Sequence, residues 1–283
     1  MKKLVPYEEN FPLLPKVYLS IACMAKNEGP YLREWLEYHR MLGVERFYLY
    51  DNESEDDTTE ILRPYIEEGL VAYHFTPGQS MMFPSYADAI CRCQEQSRWL
   101  AFIDLDEFLV PKQHDDLKEF LKDYEQYPGL GVNWIVFDSG GHETRPTEHG
   151  GLVTANYTRI RSDRNYDGKQ SYLTVKSIVD PTQVLGMPSA HFAAYRNGKS
   201  AVNENFEPIS GVFSRVNSTE KIQLNHYFTK SKEEYVKRLE KGRCDTKQAK
   251  VYREEDVNFK STSNDYAIQR FVPGLMQALG IKE

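Results

Sequence analysis

The segment Trp99-Leu-Ala-Phe-Ile-Asp104-Leu-Asp106-Glu107-Phe-Leu-Val-Pro111 decides the reading of this chain. Residues 99–103 form an apolar run with the length of a buried strand. Three carboxylates follow within four residues, and apolar residues resume at once. Buried acids without partners cost several kcal/mol or must shift their pKa. A divalent cation is the usual remedy, and an Asp-x-Asp pair suits an oxygen-loving ion. At strand spacing Asp104 and Asp106 project to one side and Leu105 to the other. The two acids are therefore expected to share a metal while Leu105 enters the core. The alternative is a solvated turn with helix-capping acids, and the apolar residues on both flanks weigh against it.

Upstream of this segment, strand and helix patterns alternate. Residues 17–24 are a continuous apolar run, followed by Lys26-Asn27-Glu28-Gly29 and by Pro30 at a first helical position. A helix to Met41 carries Leu32, Trp35, Leu36 and Met41 on one face, and Gly43 ends it. Residues 46–50 read as a second strand closed by Asp51-Asn52. Ser54 to Asp57 supply caps for a helix with Ile61, Leu62, Tyr65 and Ile66 at helical spacing. Gly69 stops it, and residues 70–75 form a third strand. A loop at 76–84 and a helix over 85–97 lead into the strand at 99–103. This βαβαβαβ pattern implies a mostly parallel sheet with helices on both faces.

Downstream the pattern changes. Asp115 and Asp116 cap a helix with Leu117, Phe120, Leu121 and Tyr124. Residues 130–137 read as a long strand, 139–151 as a polar loop, and 152–161 and 171–179 as further strands. A loop reaches His191, and 222–228 is another strand. Ser231-x-x-Glu234 is a capping box that opens a helix over 233–241, which Gly242 closes. Residues 264–279 read as one more helix. The domain division is a loose arm at 1–16, a main unit at 17–216, and a C-terminal strand and helices at 217–283 that complete the site.

The 283 residues allow one large α/β domain or two smaller ones. Thirty-five basic and 42 acidic residues give a formal charge of −7, which does not favour nucleic acid. Aromatic residues are abundant, with 19 Tyr, 14 Phe and 3 Trp, a composition that suits sugar binding as well as core packing. The cysteines Cys23, Cys91, Cys93 and Cys244 match neither zinc-site nor thioredoxin spacing and are expected to be reduced. The first residues hold no apolar signal region, and no run approaches a membrane span. A cytoplasmic protein is expected, with at most peripheral contact at the inner face of the membrane. Arg238, Lys241, Arg243, Lys247 and Lys250 form a basic run that could meet anionic lipid or a diphosphate.

In an open parallel sheet, ligands bind beyond the carboxyl ends of the strands. Here those ends carry Asn27-Glu28, Asp51-Asn52 and Asp104-Leu-Asp106-Glu107. Neither the dinucleotide fingerprint G-x-G-x-x-G nor the P-loop is present. A metal bridging a diphosphate is the natural alternative to a glycine-rich phosphate nest. Four blocks, at 17–28, 31–43, 48–58 and 99–111, resemble the GT-A glycosyltransferases. These are Rossmann-like nucleotide-diphospho-sugar transferases, and the likeness is closest to bacterial members related to glycosyltransferase families 2 and 92. Tyr50-Asp-Asn-Glu-Ser-Glu-Asp-Asp-Thr58 is similar to that family's D-N-x-S-x-D-x-T block. The resemblance extends over roughly residues 17–240.

The resemblance implies a Mn²⁺- or Mg²⁺-dependent transfer of a sugar from a nucleotide-sugar such as a UDP-sugar, usually with inversion. The acceptor would be a glycan or glycolipid, in polysaccharide biosynthesis. It puts Asp51 and Asn52 near the nucleotide and Asn27 and Glu28 along the nucleoside. It gives Asp104 and Asp106 to the metal, with Asp104 also meeting the nucleotide-sugar, and Glu107 to the surrounding support or the acceptor. A late block, Asn225-His226-Tyr-Phe-Thr-Lys230-Ser231, implies His226 as a further metal ligand and Lys230 on the diphosphate, with His191 as the other candidate ligand. Where related proteins often carry Phe-Gly-Ser/Thr-Ser-Gly-His, this chain has Phe137-Asp138-Ser-Gly-Gly-His142-Glu143. Inversion requires a general base for the acceptor hydroxyl. Glu143, or else Asp138, is expected to serve, from the polar loop after a core strand. Donor and acceptor choice would lie in loops 76–86, 139–151 and 162–170. The rival readings are a nucleotidyltransferase and a non-catalytic nucleotide-sugar-binding protein.

Overall fold

A computed structural model describes residues 16–161, 173–241, 251–257 and 263–282. Its first half is the alternating pattern expected. Strand β1 (Val17–Ala25) leads to α1 (Gly29–Met41), β2 (Arg46–Asp51), α2 (Thr58–Glu67), β3 (Val71–Phe75), α3 (Met82–Cys93) and β4 (Ser97–Phe102). Strand β1 is buried on both faces, which is why it reads as an unbroken apolar run. Leu19, Ile21, Cys23 and Ala25 enter a core shared with α1, whereas Ala22 and Met24 enter one shared with α3.

The second half brings β5 (Glu107–Pro111), α4 (Leu117–Leu121), β6 (Gly129–Val136), α5 (Val153–Asn156) and β7 (Val175–Val179). A two-stranded ribbon, β8 (Val184–Gly186) with β9 (Ala194–Tyr195), stands apart from the main sheet. Then come β10 (Ile222–His226), α6 (Lys232–Glu240), α7 (Glu254–Val257) and α8 (Val272–Leu279). The main sheet has eight strands in the order β3-β2-β1-β4-β7-β6-β10-β5. The pairs β3–β2, β2–β1, β1–β4 and β10–β6 are parallel. The pairs β4–β7, β7–β6 and β10–β5 are antiparallel.

Four sequence expectations change. The strand expected over 152–161 is instead the short helix α5. Its start is set by Glu34, a buried residue of α1 that accepts from the Val153 and Thr154 N–H groups at 2.8 Å each and from the Thr154 hydroxyl at 2.8 Å. A carboxylate there favours a helix N-terminus. The apolar residues after Glu107 form β5, which the sequence left unassigned. The tail is a 3₁₀ turn (Ala267–Phe271) followed by α8, and α8 packs on α1. Helix α3 begins at Met82 and ends at Cys93, earlier than expected at both ends. The capping box at Ser231 and Glu234 is present as read. The arm at 1–15, the loop at 162–170, and Gly242, Arg243, Cys244, Lys247 and Lys250 lie outside the described residues. Among the described residues no helix is long and apolar enough to cross a membrane.

Candidate active site

Asp104 and Asp106 lie in a turn between β4 and β5, closed by the Glu107 N–H on the Asp104 carbonyl at 3.0 Å. Strand spacing therefore does not relate the two acids; the turn does. Leu105 is buried, as expected.

The register of four strands builds the surface beneath the turn. Glu107 stands opposite His226, His226 beside Val136, and Lys176 beside Val132. Alternation along β6 puts Val132, Trp134 and Val136 on one face. Lys176, Trp134, His226 and Glu107 consequently share that face of the sheet.

Each acid of the turn has a cationic partner. The Lys176 ammonium donates to Asp104 Oδ2 at 2.8 Å and lies 3.3 Å from Glu107 Oε2. That same Glu107 oxygen accepts from the Asp104 N–H at 2.8 Å. Burial works against the Lys176 charge, but Asp104 and Glu107 outweigh it and hold the ammonium well above its usual range. Burial, with the negative charges of Asp104 and Asp106, pushes Glu107 up to about 8 against the pull of Lys176. One buried cation thus lies between two acids, and Glu107, pushed up to about 8, holds a proton at neutral pH.

Asp106 is buried, and Arg238 Nη1 donates to its Oδ2. His226 Nε2 lies 3.5 Å from that oxygen. Burial opposes ionisation of Asp106, yet Arg238, His226 and Lys230 together hold it well below the ordinary carboxylate range. The His226 ring packs on Trp134 with centroids 4.4 Å apart, and among the described residues its Nδ1 has no hydrogen-bond partner. His191 meets the other side of this cluster, 5.0 Å from Trp134 in a T-shaped contact. Its Nδ1 is 3.2 Å from the Val175 carbonyl, which favours an Nδ1–H tautomer and leaves Nε2 with its lone pair. Burial and the Lys176 charge lower His191 to about 4.

A cleft of about 410 Å³ opens beside Asp106 and is lined by Asn27, Glu28, Tyr31, Lys230, Arg238 and Lys241 among others. Arg238 joins the cleft to Asp106. Lys241 pairs with Glu28 at 3.0 Å. Lys230 lies 4.3 Å from the Tyr31 ring centroid, and burial lowers its pKa. Asn27 adopts φ 51° and accepts from the Glu55 N–H at 2.7 Å, which ties the end of β1 to the loop before α2.

The other sequence candidates sit elsewhere. Asp51 is buried, and its carboxylate accepts from the Ser54 N–H at 2.9 Å and the Tyr73 hydroxyl at 2.7 Å. Asn52 donates to the Thr76 and Gly78 carbonyls, 2.8 Å each, and so fixes the loop after β3. Both order the cleft's edge and neither lines it. Glu107 is fully buried beneath the turn. Asp138 is buried against Arg159 Nε, with its oxygens 2.8 and 3.0 Å away. The Glu143 side chain is 75% exposed, 3.5 Å from Lys232. Sequence reasoning missed Lys176, whose only signal was a lysine inside the apolar run Val175-Lys-Ser-Ile-Val179. It also missed Trp134 and Tyr31.

The cation that the Asp-x-Asp resemblance implies can be tested against these donors. Among the described residues no three His, Cys, Asp or Glu side chains form a group able to hold a metal alone. Ions that serve diphosphates commonly take one or two carboxylates and complete their shell with phosphate oxygens and water. Asp106 and His226, with the partly exposed Asp104, fit that pattern in donor type. Arg238 and Lys176 hold the two carboxylates in this structure.

The model of glycosyltransferase family 92 matches residues 16–257. A glycosyltransferase family 92 protein of Ricinus communis is 35% identical over 145 residues, 50% of this chain and 26% of its own length. The galactan β-1,4-galactosyltransferase GALS3 of Arabidopsis thaliana is 31% identical over 154 residues, 48% of this chain and 31% of that protein. The chain spans about a quarter to a third of the length of these curated relatives. Among solved structures, S. aureus TarS in complex with UDP-GlcNAc is 16% identical with a TM-score of 0.37, and the match covers 59% of this chain and 46% of that one. A family match that reaches from β1 through α7 takes in every strand of the main sheet and each side chain of the cleft named above, and on that match the chain belongs to glycosyltransferase family 92.

Proposed function

We propose that this chain transfers a hexosyl group from a nucleoside diphosphate sugar to a glycan hydroxyl, with inversion, and that UDP is the first nucleotide to test. One observation carries the reading. The Asp104-Leu105-Asp106 turn stands beside a cleft whose wall holds Lys230, Arg238 and Lys241. The nucleoside would lie along Asn27 and Glu28, the diphosphate between Lys230 and Arg238, and the sugar toward Asp104. The acceptor oxygen attacks the anomeric carbon as the bond to the diphosphate oxygen breaks. The leaving group departs with the bonding pair, and the acceptor's proton passes to a general base. Lys230 and Arg238 are placed to stabilise the charge that develops on the diphosphate. A divalent cation held by Asp104, Asp106 and His226 would add positive charge there. Glu143 and Asp138 take no part in this scheme, the first because it is exposed and the second because Arg159 neutralises it. Kinship with a galactan galactosyltransferase makes galactosyl transfer the first reaction to assay.

Thermal unfolding with Mn²⁺ and a panel of UDP, GDP and ADP tests the reading. One nucleotide is expected to raise the melting temperature by several degrees, and Asp104→Ala and Asp106→Ala to remove most of that rise. A wild-type protein that no nucleotide stabilises would sink it.

A further inference from the structure

A lysine with 1% of its side chain exposed sits in the middle of β7, beneath the acidic turn. Burying an ammonium is expensive, and an apolar residue would fill that core position without the desolvation cost. The return on Lys176 lies in what it touches. Its ammonium binds Oδ2 of Asp104 at 2.8 Å and approaches Oε2 of Glu107 at 3.3 Å. Glu107 in turn receives the Asp104 N–H. The backbone and the carboxylate of Asp104 are therefore held from the same buried side.

The Asp104 side chain is nevertheless 35% exposed. Oδ2 is the oxygen held against the buried Lys176, which leaves Oδ1 outside that contact. We propose that Lys176 is a positioning residue of the transfer reaction: it clamps Asp104 through Oδ2 and so presents Oδ1 to the nucleotide-sugar and its cation. The ammonium itself touches no substrate. It works as a cation built into the sheet, which holds the Asp104 carboxylate in one orientation while Glu107, on the same ammonium, holds the Asp104 N–H. This inference rests on the reading of Asp104 as a residue that meets the nucleotide-sugar.

Binding of Mn²⁺ with UDP, GDP or ADP, whichever binds the wild type most tightly, is the test, by titration calorimetry at 15 °C. Lys176→Met should weaken that binding at least tenfold. Because the single variant leaves the buried Glu107 and the half-buried Asp104 facing an apolar side chain, which works against folding, Lys176→Met with Glu107→Gln is the second variant. It removes one of those acids and leaves Asp104 unclamped. It should fold, with its melting point well above the titration temperature, and still bind at least tenfold more weakly. Lys176→Arg, which restores a cation, should recover part of the affinity, as a purely structural lysine would not require. A folded double variant that binds within twofold of wild type overturns the proposal and leaves the functional reading intact. A wild type that binds none of the three nucleotides overturns both.

Discussion

Arg238, in the last turn of α6, places its guanidinium on Oδ2 of Asp106, 132 residues earlier in the chain. This contact ties α6 to the acidic turn and joins that turn to the cleft that Arg238 lines. If the proposed reaction is right, replacing Arg238 with Ala is expected to lower kcat/KM at least 100-fold, since a cation lining the cleft would no longer stabilise charge on the leaving group. The loss should exceed any change in melting temperature, because Asp106 keeps His226 and Lys230 beside it. Steady-state kinetics with the best nucleotide-sugar, beside a thermal melt, decide it. Wild-type kcat/KM in the variant would rule out the role.

Glu34 is the cap of α5. Glu34→Ala leaves two buried N–H groups and a hydroxyl without their acceptor. At about 1–3 kcal/mol per unsatisfied group, a loss of roughly 2–4 kcal/mol is expected after relaxation. Urea unfolding measures it, and Glu34→Gln should recover part. A loss below about 1 kcal/mol would show that α5 forms without the cap.

A buried histidine, His39, and the half-buried His74 and His191 make stability depend on pH. His39 is fully buried, its Nδ1 2.9 Å from the Trp35 carbonyl and its Nε2 accepting from the Leu109 N–H at 3.3 Å. Burial lowers it to about 3, and lowers His74 to about 4, helped by Arg92. The unfolded chain therefore takes up protons below about pH 6.5 while the folded one does not. Stability from these groups is complete above pH 6.5 and is lost as pH falls toward their folded values. Each contributes a slope of up to about 1.4 kcal/mol per pH unit. Urea midpoints of the wild type and His39→Gln between pH 5 and 7 check the sign: Glu107, raised to about 8, acts the opposite way in both proteins, so the wild type should lose stability relative to the variant as pH falls. A wild type that gains on the variant as pH falls would contradict it.

Glu143 has an exposed side chain that lies 3.5 Å from the Lys232 ammonium. Glu143→Ala is expected to leave kcat/KM within threefold of wild type. A loss of 100-fold or more would restore it as the general base that the sequence suggested.

The alternation of strands and helices over residues 17–102 was legible because its signals are local. The apolar run at 17–24 marks a strand buried on both faces, and Pro30, Gly43, Ser54 and Gly69 punctuate it. The acidic turn was legible as an anomaly, since three acids after a core strand demand partners. Those partners were not legible. Lys176 and Arg238 reach Asp104 and Asp106 across 72 and 132 residues, and nothing local marks them as a pair. The helix α5 was misread because Leu152, Val153, Tyr157 and Ile160 suit a strand, and the carboxylate that turns the chain into a helix comes from α1. Asp51 and Asn52 read as ligand groups because polar residues at a strand end serve turns and ligands alike; here Ser54, Tyr73 and the loop after β3 occupy them.

The place of β10 has a consequence for how the chain comes to be folded. It lies between β6 and β5, and among the described residues β10 is the only strand beside β5 in the sheet. During synthesis β5 is complete more than a hundred residues before its partner emerges, so two open strand edges wait on residues 222–226. Closing that gap is a slow, non-local step, and exposed edges invite pairing with other chains. The same docking carries His226 to Asp106. Chains cut short before residue 222 should therefore aggregate rather than accumulate as a soluble, inactive half, and catalytic competence should arise only with the last strand to join the sheet.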